Sequence, residues 1–282
     1  MLTTSDILRQ CLSNLRTNVV SAAMTQVPRS WGAHDFIPHL HKLYFIKEGE
    51  GWIQIDDQVF EPKPGQLLLL PAETRQSLAS ISSNTYLKYW CHFSASIGDT
   101  DLFQMLDTSY LLTIPQHEFP LIENIFEKLI LQLKENHALS ALLVNAALLE
   151  LLHFFLERAG VHNMFKQSPL SFEKLTTVIQ YINLHLSLPI KLEELALIIH
   201  VEPNYFAKLF KNMLGLSPMQ YLNRMRIEKA KSLLIHSTLS VTEIAASVGF
   251  ELHYFSRLFK SQESLSPLEY RIVKTHQSNI VL

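Results

Sequence analysis

The sequence predicts an α+β chain of two domains, a small antiparallel β-barrel with helices behind it and then an all-α module. Three observations predict this. Residues 35–95 alternate short apolar runs with turn signals, the pattern of an antiparallel barrel or sandwich. From Phe119 onward apolar residues recur at steps of three and four. Beyond residue 190 the chain repeats itself at an offset of 49 residues, without a gap.

The bulk numbers agree. A chain of 282 residues suits two domains better than one. At 48% hydrophobic it has material for a sizeable core, which excludes global disorder. The net charge of −2 is unevenly divided: residues 1–169 carry 12 basic and 17 acidic side chains, residues 170–282 carry 12 and 9. A cationic tail behind an acidic front suits an anionic partner for the tail. Cys11 and Cys91 lack metal-ligand spacing and read as free thiols in a reducing compartment. Asp6, Arg9 and Arg16 interrupt the N-terminus, so no signal peptide is expected. Asn145, Glu150 and His153 interrupt the most apolar stretch, Leu139 to Leu156, which argues against a membrane span. A soluble cytoplasmic protein without a membrane partner is expected.

Taken in order, Leu43–Ile46 is an apolar run that ends at the turn signal Glu48-Gly49-Glu50-Gly51. Trp52, Ile53, Ile55, Val59 and Phe60 flank Asp56-Asp57, a hairpin tip. Pro62-Lys63-Pro64-Gly65 punctuates before the run Leu67–Leu70, and Pro71 stops it. Ile122, Ile125, Phe126, Leu129, Ile130 and Leu133 mark a first helix; a second spans roughly Leu139 to Arg158. The broad apolar stripe of that second helix fits either core packing or a dimer seam. These readings give a barrel over 1–118, a helical dimerisation segment over 119–160, a linker over 161–171 and the repeated module over 172–275.

The repeat carries most information. Residues 190–221 and 239–270 share 12 identities in 32 positions, among them Tyr205-Phe206 with Tyr254-Phe255 and Leu216-Ser217-Pro218 with Leu265-Ser266-Pro267. Each copy reads as a short helix (Leu192–Ile198 or Val241–Ser247), a tight turn and a longer amphipathic helix (Pro203–Met213 or Leu252–Gln262). Phe206, Leu209 and Phe210, like Phe255, Leu258 and Phe259, fall on the inner face. Polar and basic residues fall on the outer one. This is the helix-turn-helix plan, whose second helix enters the major groove of double-stranded DNA. Ser217 can N-cap a connecting helix beginning at Pro218, a strut of about 27 Å. Such a strut suits two recognition helices about 34 Å apart, one DNA turn.

The stretches VTEIAASVGF, YFSRLFK and LSPLEYR within 241–271, with LEELALIIH, YFAKLFKNMLG and LSPMQYLNRMRIEKAKSLL before them, resemble the AraC/XylS family of bacterial transcription regulators. The resemblance covers residues 172–272. It implies base contacts from Asn204, Ala207 and Lys208 in the first unit, and from Leu252, His253, Ser256 and Arg257 in the second. It makes Lys211, Lys260 and Arg224 phosphate contacts, Arg226 an internal brace, and RNA polymerase a partner. Two departures stand out. Only Glu251-Leu252-His253 separate Gly249-Phe250 from Tyr254-Phe255, one residue fewer than the family's usual spacing and without a good N-cap residue. Ser264 also replaces the usual glycine. A less defined second recognition helix is therefore expected.

The N-terminal pieces HDFIPHLHKLYFIKEGEGWIQIDD, Lys63-Pro64-Gly65, LLLLPAE and Tyr89–Phe93 resemble the cupin-type sensing domain joined to many members. That resemblance implies a cupin-like antiparallel barrel holding a small effector, often a sugar, with the following helices forming a homodimer. Trp31, His34, His39, His41, Tyr44, Trp52 and Tyr89 are the candidate ligand residues. His39 and His41 also have metal-ligand spacing if they share a strand, so a metal-dependent cupin enzyme with a helical accessory domain is the alternative. The set is incomplete. Tyr44–Ile46 stand where a carboxylate is wanted, and Arg75-Gln76 where a later histidine is wanted. No metal, cofactor or catalysis is expected, and His92 reads as a buried, hydrogen-bonded residue.

Overall fold

In the computed structural model, residues 4–106, 108–135, 137–160 and 172–280 are described. The chain divides into two units, Leu15–Ser168 and a second made of Met1–Asn14 together with Pro169–Leu282.

The first unit is a two-sheet antiparallel sandwich covered by helices on one side. Its strands are β1 (Leu15–Gln26), β2 (Gly32–Phe36), β3 (His41–Glu48), β4 (Gly51–Ile55), β5 (Gln58–Phe60), β6 (Gln66–Leu70), β7 (Gln76–Ser80), β8 (Leu87–Ile97), β9 (Thr100–Asp101) and β10 (Leu111–Thr113). One sheet runs β1-β8-β3-β6-β10, with β9 on β8; the other runs β2-β7-β4-β5. Asp56 at φ +50° turns the expected β4–β5 hairpin. Strand alternation sorts the side chains of the larger sheet. Tyr44 and Ile46 of β3 and Leu68 and Leu70 of β6 face the smaller sheet, where they join Ile53, Ile55 and Leu78 in one core. Phe45 and Tyr89 point the other way, meeting Phe119 and Phe126 at ring-centroid distances of 5.5 Å each.

Those two phenylalanines belong to α3 (Phe119–Glu135), which packs with α4 (Ser140–Ala159). The short α2 (Leu102–Met105) is capped by Asp101, which accepts from the amides of Phe103 and Gln104. By length and composition α4 could cross a membrane. Here Val144, Ala147, Leu148, Leu151 and Phe155 are buried, and α4 meets α3 and β1. Leu142, Leu143 and Leu149 lie exposed on another face. The stripe thus divides between core and surface.

The second unit begins with α1 (Thr4–Leu12) and resumes at α5 (Phe172–Leu184). The expected linker, 161–171, lies outside the described residues. The expectation that the barrel starts at residue 1 is corrected. Residues 1–14 group with the C-terminal unit, and the first strand starts only at Leu15. Ile7 and Cys11, one helical turn apart, are fully buried, and α1 packs against the later helix α7.

After α5 the order is α6 (Leu192–Ile198), α7 (Pro203–Leu214), α8 (Pro218–His236), α9 (Val241–Ser247), α10 (Leu252–Glu263) and α11 (Pro267–Ile280). The caps follow local chemistry. The Ser217 hydroxyl accepts from the Gln220 amide, and Gln220 Oε1 accepts from the Ser217 amide; Ser240 and Glu243 do the same for α9. Each copy is centred on an edge-to-face aromatic series. Phe206–Phe210–Tyr221 has centroid spacings of 5.5 and 5.5 Å, and Phe255–Phe259–Tyr270 has 5.5 and 5.3 Å.

Candidate functional site

The outer faces of α7 and α10 are alike position by position. Their phenylalanines point inward: Phe206 and Phe210, like Phe255 and Phe259, are fully buried. Helical periodicity then turns Asn204, Lys208 and Lys211 of α7, and His253, Arg257 and Lys260 of α10, to solvent. Ala207, Leu252 and Ser256 are half-buried at the edge of that face, and Arg224 is exposed on α8. Asn204 Nδ2 donates to Glu202 Oε1 at 3.2 Å. The surface is therefore cationic, hydrogen-bonding and free of large apolar groups at its centre, the chemistry that meets phosphates and base edges.

The second recognition helix starts as cleanly as the first, contrary to the expected weak start. Both turns have four residues, Ile199–Glu202 and Val248–Glu251. Glutamate caps both helices. Glu202 accepts from the Tyr205 amide at 2.9 Å, and Glu251 accepts from the His253 and Tyr254 amides at 3.2 Å each. Those amide hydrogen bonds, His253 first, hold the Glu251 carboxyl below its ordinary value.

Arg226 braces the module, as the resemblance implied. Its Nε donates to Leu186 O at 2.7 Å and its Nη2 to Leu188 O at 2.6 Å, and burial lowers its pKa. Arg271 does the same for the second unit, donating to Leu234 O at 3.0 Å and Leu239 O at 2.6 Å. Sequence reasoning missed Arg271, although it stands in the quoted LSPLEYR stretch.

In the first unit the candidate ligand residues separate. Tyr44 is buried in the core between the sheets, and Trp31 packs against it. His34 and Trp52 lie 6.1 Å apart, on β2 and β4. Trp52 falls at the outward positions of β4, alternating with buried Ile53. Tyr89 faces α3, where its hydroxyl donates to Glu127 at 2.8 Å; burial, then that carboxylate, raises its pKa.

His39 and His41 do not share a strand, because β3 begins at His41. His39 is 88% exposed and pairs with Glu73 at 2.8 Å. His41 is buried against Phe93 and Phe103. Its Nδ1 accepts from the Ala72 amide at 2.9 Å. Its Nε2 lies 2.7 Å from Asp101 Oδ2 without the alignment of a hydrogen bond. Among the described residues, no group of three His, Cys, Asp or Glu side chains could hold a metal.

His92 is half-buried beside Trp90, at 4.8 Å between centroids. Burial, then the charges of Lys42 and Lys88, lowers its pKa to about 4. Those two lysines escaped sequence reasoning, yet they stand on the inward side of their strands. Opposed across the β3–β8 ladder are Lys42 with His92, Tyr44 with Trp90 and Ile46 with Lys88. The legible signal was positional: a lysine two residues before Tyr44, and another two before Trp90.

Comparison with known proteins agrees with this division. Residues 26–152 match the model of the AraC-like ligand binding domain, and residues 195–272 match that of a helix-turn-helix domain. The chain is 24% identical to the lactose operon transcription activator of Staphylococcus xylosus over 197 residues, covering 69% of this chain and 70% of that protein. It is 38% identical to the regulatory protein PocR of Salmonella typhimurium over 63 residues, 22% of this chain and 21% of that protein. The C-terminal domain of AraT, a response regulator from Geobacillus stearothermophilus, aligns at 38% identity over 38% of this chain and 88% of that one, with a TM-score of 0.35. The two matched domains and the relatives define a DNA-binding transcription regulator with an N-terminal ligand-binding domain. The chain belongs to the AraC-type transcriptional regulators.

Proposed function

We propose that a small, sugar-like effector bound between the two sheets of the first unit controls how the second unit occupies promoter DNA. The observation that carries the DNA side is the position-by-position match of the exposed faces of α7 and α10. Asn204, Ala207 and Lys208, with Leu252, His253, Ser256 and Arg257, contact bases; Lys211, Lys260 and Arg224 contact phosphates. On the effector side, Trp31 and Tyr44 offer aromatic faces to a sugar-like body. The protein acts in the cytoplasm as a homodimer, joined through the exposed Leu142, Leu143 and Leu149 of α4, and engages RNA polymerase. It regulates and does not catalyse. The split of His39 from His41 disfavours a metal-dependent enzyme.

The full chain is tested on promoter fragments from its own genome by fluorescence anisotropy. Affinity is expected to fall steeply with salt, as phosphate neutralisation requires. Lys208→Ala is expected to cost about 1–3 kcal/mol and relax selectivity in one half of the site. Salt-independent binding, or unchanged selectivity in the variant, contradicts the reading.

A further inference from the structure

The core between the two sheets contains a chemical contradiction. Lys88 is 3% exposed, and its Nζ sits 3.3 Å from the Tyr44 ring centroid and 4.3 Å from that of Trp31. Lys42 is 8% exposed, with its Nζ 4.4 Å from the Phe36 ring centroid and 3.1 Å from Gln76 Oε1. Gln76 is fully buried and held in place by its own donation to Pro71 O at 2.7 Å. Among the described residues, neither ammonium has a carboxylate within ion-pair distance. The surrounding core is apolar: Ile46, Ile53, Ile55, Leu68, Leu70 and Leu78.

Buried lysines are ordinarily paired, because an isolated ammonium in an apolar core is costly. Ring faces and one amide oxygen compensate only part of that cost. Burial accordingly lowers the pKa of Lys42 to about 8, and burial followed by the charge of Lys42 takes Lys88 well below its ordinary value. Two like charges on one wall, with no carboxylate among the described residues to pair them, also oppose folding. Methionine would pack there better. The arrangement makes sense if the partner charge arrives from outside.

We propose that the effector is an organic anion, its carboxylate or phosphate held between Lys42 and Lys88 and its body lying on the faces of Trp31 and Tyr44. This rests on reading the inter-sheet core as the effector chamber and narrows the class of ligand from neutral sugars to sugar acids, sugar phosphates or aromatic acids. His92, beside Trp90, adds a neutral polar edge at the Lys42 end of the same wall. The anion supplies the countercharge that the described residues around Lys42 and Lys88 do not, so occupied and empty forms differ most at β3 and β8, the two strands that carry the lysines.

The test uses the full-length protein, with melting temperature and tryptophan fluorescence as readouts. The probes at millimolar concentration are gluconate, glucose 6-phosphate and benzoate, beside their neutral counterparts glucose and benzyl alcohol. At least one anion is expected to raise the melting temperature and change the fluorescence while its neutral counterpart does neither; which anion responds distinguishes carboxylate from phosphate. Lys88→Met and, separately, Lys42→Met are expected to weaken that anion about ten-fold or more. Lys88→Met is also expected to raise the melting temperature of the ligand-free protein. A response to glucose equal to that of gluconate, surviving in both variants, overturns the anion inference and leaves the effector chamber standing. Silence toward all five probes, with Lys88→Met lowering the melting temperature, overturns both.

Discussion

In the turn between its helices, the first helix-turn-helix unit holds His200 at φ +56°, and the second holds Gly249 at φ +77°. After the recognition helix the residues exchange: Gly215 at φ +76° in the first unit, Ser264 at φ +60° in the second. Both units need two left-handed residues at positions 49 apart, and each spends its one glycine at a different place. The neighbours explain the choice better than the backbone angle. A Cβ on Gly249 would stand 2.7 Å from Ser187 O and 3.0 Å from Arg226 Nη2, the segment that Arg226 grips. A Cβ on Gly215 would stand 2.5 Å from Asn14 Oδ1. Glycine therefore sits where another segment presses close, and an ordinary residue bears the same angle at the exposed positions 200 and 264.

Gly249→Ala breaks this comparison most. A fixed carbonyl cannot retreat, and the left-handed angle adds strain, so a loss of about 1–3 kcal/mol is expected in denaturant unfolding. Gly215→Ala is expected to cost less, because the end of the Asn14 side chain can swing away. Equal costs would show that backbone angle alone decides. The reverse substitutions sharpen the point. His200→Gly and Ser264→Gly are each expected to add up to about 1 kcal/mol, the relief of strain being partly offset by the freedom glycine gains when unfolded.

A smaller effect separates the caps by pH. The folded Glu251 carboxyl is held below its ordinary value, so its stabilisation is complete above that ordinary value and is lost as pH falls through the lowered folded one. Glu243 and Glu269 of the same unit behave likewise, each through hydrogen bonds with a serine, Ser240 and Ser266. Circular dichroism between about pH 5 and pH 2 is expected to show a shallower loss of helix for Glu251→Gln than for the parent.

The DNA-binding half was legible because a gapless repeat tests itself. Phe206 and Phe255, or Ser217 and Ser266, take equivalent places only if both copies fold alike. The expectation of a poorly started α10 failed because glutamate ranks low as an N-cap residue, whereas here Glu202 and Glu251 both cap. The barrel was legible as strands and turns, but the effector site proposed for it was not. His39 and His41 have metal-ligand spacing only if they share a strand, and β3 begins at the second of them. Lys42 and Lys88 were passed over because lysine reads as surface, and only the register of β3 on β8 shows that they face inward. The grouping of α1 with the distant C-terminal helices had no local signal.

On the reading proposed above, α7 and α10 are equivalent readers of one duplex. Hydroxyl-radical footprinting of the full chain on its own promoter, with Lys208→Ala and Arg257→Ala beside the parent, tests this equivalence. Two protected stretches about 10 base pairs apart are expected for each protomer bound, with Lys208→Ala fading one of each pair and Arg257→Ala the other. A single protected stretch, or two stretches that fade together in either variant, would contradict it.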